Sequence, residues 1–194
     1  GPGPKEGPAP DPSSFDLLAE VVNFSVLAGD AARSPDIVYT NKLTWSTRSA
    51  EIAARYPEVA WTVVKRDSPG GAVAGRIRGT ESHIGRLFLA GHPNMIPIVC
   101  LDLVLAGAAT THLTGVNFYA SAQRYANGTT EHYGARLRQS SVMSGHVLTE
   151  NRAFVANLAD AGLVDGDAAF HASIAMDDRE YLEILDRNYG RARR

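Results

Sequence analysis

Residues 96–119, IPIVCLDLVLAGAATTHLTGVNFY, constrain the fold more than any other stretch of this chain. Ile96, Val99, Leu103 and Ala106 recur at the spacing that places them on one face of a helix. Gly107 is the expected stop, because glycine accepts the positive φ with which helices often end. Thr111-His112-Leu113-Thr114 reads as a short strand, Gly115 ends it, and Val116-Asn117-Phe118-Tyr119 turns away from its carboxyl end. A helix feeding a strand in this way belongs to an open α/β sheet, where ligands bind beyond the carboxyl ends of the strands.

The remaining chain fits that frame. Residues 1–14 are rich in Pro and Gly and read as loop. Residues 15–22, 36–40 and 60–64 are apolar or β-branched runs and read as strands, with Asn23 and Asn41 just past the first two. Thr47 or Ser49 is the expected cap of a helix running to Arg55 and closed by Tyr56-Pro57. Pro69-Gly70-Gly71 is a turn, and residues 83–90 fit either helix or extended chain. Residues 120–145 have no apolar period, and a loop of that length is usually functional or disordered. Thr149 opens a further helix that ends at Gly162, residues 168–175 read as a last strand, and Asp177-Asp178 cap a final helix. Strands alternating with helices predict a mainly parallel sheet covered on both faces, within one domain spanning 1–194.

Composition narrows the function classes. With 19 basic and 21 acidic residues the formal charge is −2, which argues against a nucleic-acid partner. The single cysteine, Cys100, allows no internal disulfide and favours a reducing, cytoplasmic location. No apolar run is long enough to span a bilayer, and the Pro/Gly-rich start, which lacks an initiator Met, does not read as a secretory leader. A Walker-type loop and a GxGxxG fingerprint are both absent. Asp165-Gly166-Asp167 is a DxD string that could hold a metal, although Asp-Gly is also ordinary turn chemistry between a helix and a strand. The basic end, residues 187–194, reads first as solvated tail and second as a surface for anionic lipid at the inner face of a membrane.

Several short motifs occur in an order that resembles glycosyltransferase family 42, the bacterial sialyltransferases. They are the helix ending at Gly107, then Leu113-Thr114-Gly115, Phe118-Tyr119, Tyr125-Ala126, His132-Tyr133 and Gly145-His146 before a helix. Gly1-Pro2-Gly3-Pro4 resembles the first glycine loop of that family, and Asn23 and Asn41 fall near its spacing. Where the family carries a TSG motif this chain reads Asn94-Met95-Ile96, His92 stands where the family has a basic residue, and Pro2 replaces an asparagine. The strand expected ahead of the glycine loop is missing from this sequence.

The resemblance implies a Rossmann-like α/β domain that transfers an acidic sugar, sialic acid or a relative, from a CMP donor to a glycan hydroxyl. The transfer would be inverting and need no metal or other cofactor beyond the donor substrate. It implies His146 as the base for the acceptor hydroxyl, with Tyr119 and Tyr125 on the leaving phosphate. Gly1, Gly3, Asn23, Asn41, Asn94, Gly115 and Phe118 would surround the nucleotide, with residues 120–145 as a lid. The chemistry is reasonable for these residue types: an imidazole titrates near neutrality, and a phenol can donate a hydrogen bond to a departing phosphate. Each residue also has a plainer reading. Tyr119 can be a packing residue, Tyr125 a solvent-facing clasp, His146 a neighbour of a helix start, and the asparagines strand-end turns. Two rival functions follow: a non-catalytic nucleotide- or partner-binding member of the same fold, and a metal-dependent transferase using Asp165 and Asp167. Homo-oligomer formation stays open.

Overall fold

The structure, a computed structural model, describes residues 11, 14–22, 35–65, 77–79, 93–120 and 147–189, with the backbone alone at 22, 41–48, 61, 65, 77–79 and 189. The expected turn at 69–71, the segment 83–90 and residues 121–145 of the expected lid lie outside the described residues. The chain divides into two compact units, 10–86 on one side and 1–9 with 87–194 on the other.

In the unit 10–86, β-branched runs form strands that pair in parallel throughout. They are β1 (Ala19–Val22), β2 (Ile37–Asn41), β3 (Trp61–Lys65) and β4 (Ile77–Gly79), in the order β1-β2-β3-β4. Val21 lies opposite Tyr39, Tyr39 opposite Val63, and Val63 opposite Arg78, so one register runs across the sheet. Asp36 sets the start of β2: its carboxylate accepts the Leu18 N–H at 2.8 Å, and its carbonyl accepts the Ala60 N–H. Helix α1 (Lys42–Arg55) follows β2 with no intervening loop. It therefore starts ahead of both Thr47 and Ser49, the expected caps. Ile52 and Tyr56 pack on Val38 with Val59 beside them, and this burial outweighs the local capping preference of Thr and Ser. The strand order runs one way with no reversal among the described strands, so this sheet has no switch-point crevice within them.

The second unit holds α2 (Met95–Leu105), β5 (Thr111–Leu113), α3 (Leu148–Asp160), β6 (Val164–Gly166), α4 (Ala168–Ala175) and α5 (Asp178–Tyr189). Helix α2 is buried at Met95 through Cys100 and again at Asp102 and Leu103, so the single apolar face expected for it is too narrow. A helix that is apolar nearly all round belongs inside a core. It ends as expected at Gly107, with φ +91°; the Gly107 N–H bonds to Val104 O and the Ala108 N–H to Leu103 O, a Schellman closure. Helix α3 ends in the same way at Gly162, with φ +72°. No helix among the described residues is long and apolar enough to cross a membrane.

Two elements differ from expectation here. Of Asp165-Gly166-Asp167, expected as a turn, the first two residues belong to β6 (Val164–Gly166), in parallel register with β5, His112 opposite Asp165. A strand of three residues has no period to read, and its ladder partner is remote in sequence. Residues Ala168–Ala175, expected as a strand, form helix α4. Its alanines favour helix, its buried residues are Phe170 and Ser173 at i, i+3, and Asp167 caps it by accepting the Phe170 N–H at 2.9 Å. Helix α5 starts as expected: Asp177 accepts the Glu180 N–H at 2.8 Å, and Tyr181 and Leu185 bury one face.

Candidate functional site

Beyond the carboxyl end of β5, three of the described residues take positive φ within five positions. Gly115 sits at φ +66°, where glycine is at ease. Phe118 at φ +46° and Tyr119 at φ +68° share that left-handed region, and both carry side chains. Each such residue costs about 1–2 kcal/mol relative to ordinary backbone. The Ala120 N–H donates to Asn117 O at 2.8 Å, closing a β-turn whose two central residues both have positive φ, as in a type I′ turn. Asn117 Oδ1 accepts the Tyr119 N–H at 3.0 Å inside the same turn.

Contacts from remote elements hold this conformation. Asp167 Oδ2 accepts the Gly115 N–H at 2.7 Å, and the Asp167 N–H donates to Leu113 O at 3.0 Å. The Tyr181 hydroxyl of α5 donates to Phe118 O at 2.5 Å, and Asn188 Nδ2 donates to Ala120 O at 3.2 Å. The Phe118 ring lies against Phe170 of α4, centroids 6.4 Å apart. Tyr181 in turn lies under the Arg152 guanidinium, 4.6 Å from its ring centre. Arg152 is buried, donates to Ser173 O and Met176 O at the end of α4, and pairs with Asp178 at the start of α5. Sequence reasoning weighed Asp167 only as half of a DxD metal site, and passed over Tyr181 and Asn188. Asp167 ahead of an alanine-rich run carried a helix-cap signal; the other two had none.

The expected site residues fall in several places. Gly115, Phe118 and Tyr119 all lie in the short segment 115–119 beyond β5, and Tyr119 is covered, at 7 % exposure. Asn94 is the N-cap of α2: its Oδ1 accepts the Ile96 N–H at 3.0 Å and its N–H donates to Asn151 Oδ1 at 2.7 Å. Its Nδ2 is buried with no partner. Pro97 has no N–H, so this helix start offers few free donors to an anion. Asn41 ends β2 in the other unit. Gly1, Gly3, Asn23, Tyr125 and His146 lie outside the described residues.

The two aspartates of the DxD string have separate partners. Both Asp167 oxygens accept backbone N–H groups, those of Gly115 and Phe170. Asp165 is exposed beside two histidines, 2.8 Å from His171 Nε2 and 3.6 Å from His112 Nδ1. The Gly166 N–H, ahead of the His171 contact, holds its carboxyl below the usual carboxylate range. Among the described residues no group of three or more His, Cys, Asp or Glu has the arrangement to hold a metal ion. No protein-family model, curated protein or solved structure matches the chain.

Proposed function

We propose that this chain is an inverting, metal-independent transferase that moves an acidic sugar, sialic acid or a relative, from a CMP donor to a glycan hydroxyl at the cytoplasmic side of the membrane. The observation that carries the reading is the turn 117–120. Two consecutive aromatic residues are held at positive φ just beyond the carboxyl end of a parallel strand. Strain of this kind concentrates at working sites, and this edge is where α/β sheets bind ligands.

In this mechanism the acceptor oxygen attacks the anomeric carbon as the bond from that carbon to the CMP phosphate breaks. The bonding pair leaves with the phosphate, and His146 takes the acceptor proton. Tyr119 and Tyr125 donate hydrogen bonds to the phosphate as its charge grows, the kind of interaction that favours the transition state over the ground state. Gly1, Gly3, Asn94, Gly115 and Phe118, which belong to one unit, are the residues assigned to the nucleotide.

The second reading, a non-catalytic nucleotide- or partner-binding member of the same fold, is favoured by two observations: Tyr119 is covered, and Asn94 is committed to a helix cap. Calorimetric titration with CMP, joined to an assay of CMP release from CMP-sialic acid with water as acceptor, separates the two. Binding with turnover supports the transferase, binding without turnover supports the second reading, and the absence of both removes the nucleotide assignment altogether.

A further inference from the structure

The strained turn is held only in part by its own bonds. The Ala120 N–H on Asn117 O and the Tyr119 N–H on Asn117 Oδ1 close it locally, against two side chains at positive φ. Further restraint arrives before the aromatic pair and within it. Before it, the Gly115 N–H is anchored on Asp167 Oδ2 at 2.7 Å, while Asp167 Oδ1 holds the first turn of α4 through Phe170 N–H at 2.9 Å. Within it, Phe118 O accepts the Tyr181 hydroxyl at 2.5 Å. Tyr181 is fully buried beneath Arg152, so its hydroxyl has little freedom to follow a moving turn.

We infer that Asp167 and Tyr181 are positioning residues for the Tyr119 phenol, an inference that rests on the donor-site reading above. Neither is placed on the sugar or the nucleotide. Each holds the backbone from which the phenol projects, and so fixes where a hydrogen bond to the departing phosphate can be made. A displacement of about 1 Å in a reacting geometry can cost on the order of 100-fold in rate.

The two positions can be perturbed selectively. Asp167→Asn keeps a good N-cap, since asparagine caps helices about as well as aspartate. It has one oxygen for two N–H groups, so with that oxygen on Phe170 the Gly115 N–H faces an amide NH₂. Tyr181→Phe keeps the ring under Arg152 and removes the hydroxyl that bonds Phe118 O.

The test is CMP release from CMP-sialic acid, with water as acceptor, by the full chain. It compares wild type, Tyr119→Phe, Asp167→Asn, Tyr181→Phe, and each of the last two combined with Tyr119→Phe. Positioning predicts that Asp167→Asn and Tyr181→Phe each lower kcat by roughly 10-fold or more with KM little changed. It predicts no further fall once the Tyr119 hydroxyl is absent, because there is then nothing to aim. Equal fold-losses in the presence and absence of that hydroxyl, or single variants with wild-type kcat, overturn the inference while leaving the donor site intact. A wild-type chain without turnover, or a Tyr119→Phe chain that turns over as fast as wild type, removes the donor-site reading and this inference with it.

Discussion

Gly166→Ala should destabilise the second unit far more than its size suggests. A Cβ at Gly166 would stand 2.5 Å from Phe170 Cδ1, 2.6 Å from Cγ and 2.8 Å from Cβ. Carbon atoms in good contact are about 3.5–4.0 Å apart, so roughly 1 Å of movement is needed. Rotating the ring cannot supply it, because Phe170's own Cβ is among the clashing atoms. The first turn of α4 must shift, against a fully buried ring and the Asp167 cap. Overpacking costs about 1–3 kcal/mol and a disturbed cap about 1 more, so the expected loss is roughly 2–4 kcal/mol. In a chain of this size that lowers Tm by about 4–15 °C. Gly107→Ala is the control: nothing lies within 4 Å of its Cβ, and only the φ of +91° opposes it, at about 1–2 kcal/mol. Thermal melts followed by circular dichroism compare the two. A Gly166→Ala chain that melts at or above the Gly107→Ala chain would refute the close approach of β6 to α4.

Three further outcomes are expected. Burial, and then the negative charge of Glu20, push the Tyr56 phenol up from 10.0 to about 12, so the stabilisation it carries is complete below pH 10 and is lost as pH rises through about 12. Urea midpoints should therefore fall more steeply over that range for wild type than for Tyr56→Phe, and parallel profiles would count against it. His146→Ala should lower kcat by about 10²–10⁴-fold with CMP affinity nearly unaltered, and Tyr119→Phe and Tyr125→Phe should lower kcat in folded protein; normal turnover in His146→Ala would sink the mechanism. EDTA should change neither turnover nor CMP affinity, whereas a loss restored by Mg²⁺ or Mn²⁺ would favour the Asp165/Asp167 alternative.

What could be read from the residues was whatever is encoded locally. The parallel strands at Ile37–Asn41 and Trp61–Lys65 show as β-branched runs, and the stops at Gly107 and Gly162 show because few other residues accept their φ. β6 and α4 differ from expectation for a physical reason: Asp165-Gly166 is turn chemistry until β5 supplies a ladder partner, and an apolar octet reads as a buried strand until Asp167 caps it as a helix. The start of α1 was hidden because Thr47 and Ser49 carry a cap signal that packing of Ile52 and Tyr56 overrides. At the site, Gly115 was legible as a strand end. The conformation of Phe118 and Tyr119 was not, because aromatic residues seldom take positive φ, and the bonds that enforce it come from 52, 63 and 68 residues away.

The most direct measurement is a crystal structure of the chain with CMP. A nucleotide is expected beyond Gly115 at the carboxyl end of β5, with its phosphate within hydrogen-bond reach of the Tyr119 phenol. A nucleotide bound elsewhere, with Tyr119 still covered, would contradict it.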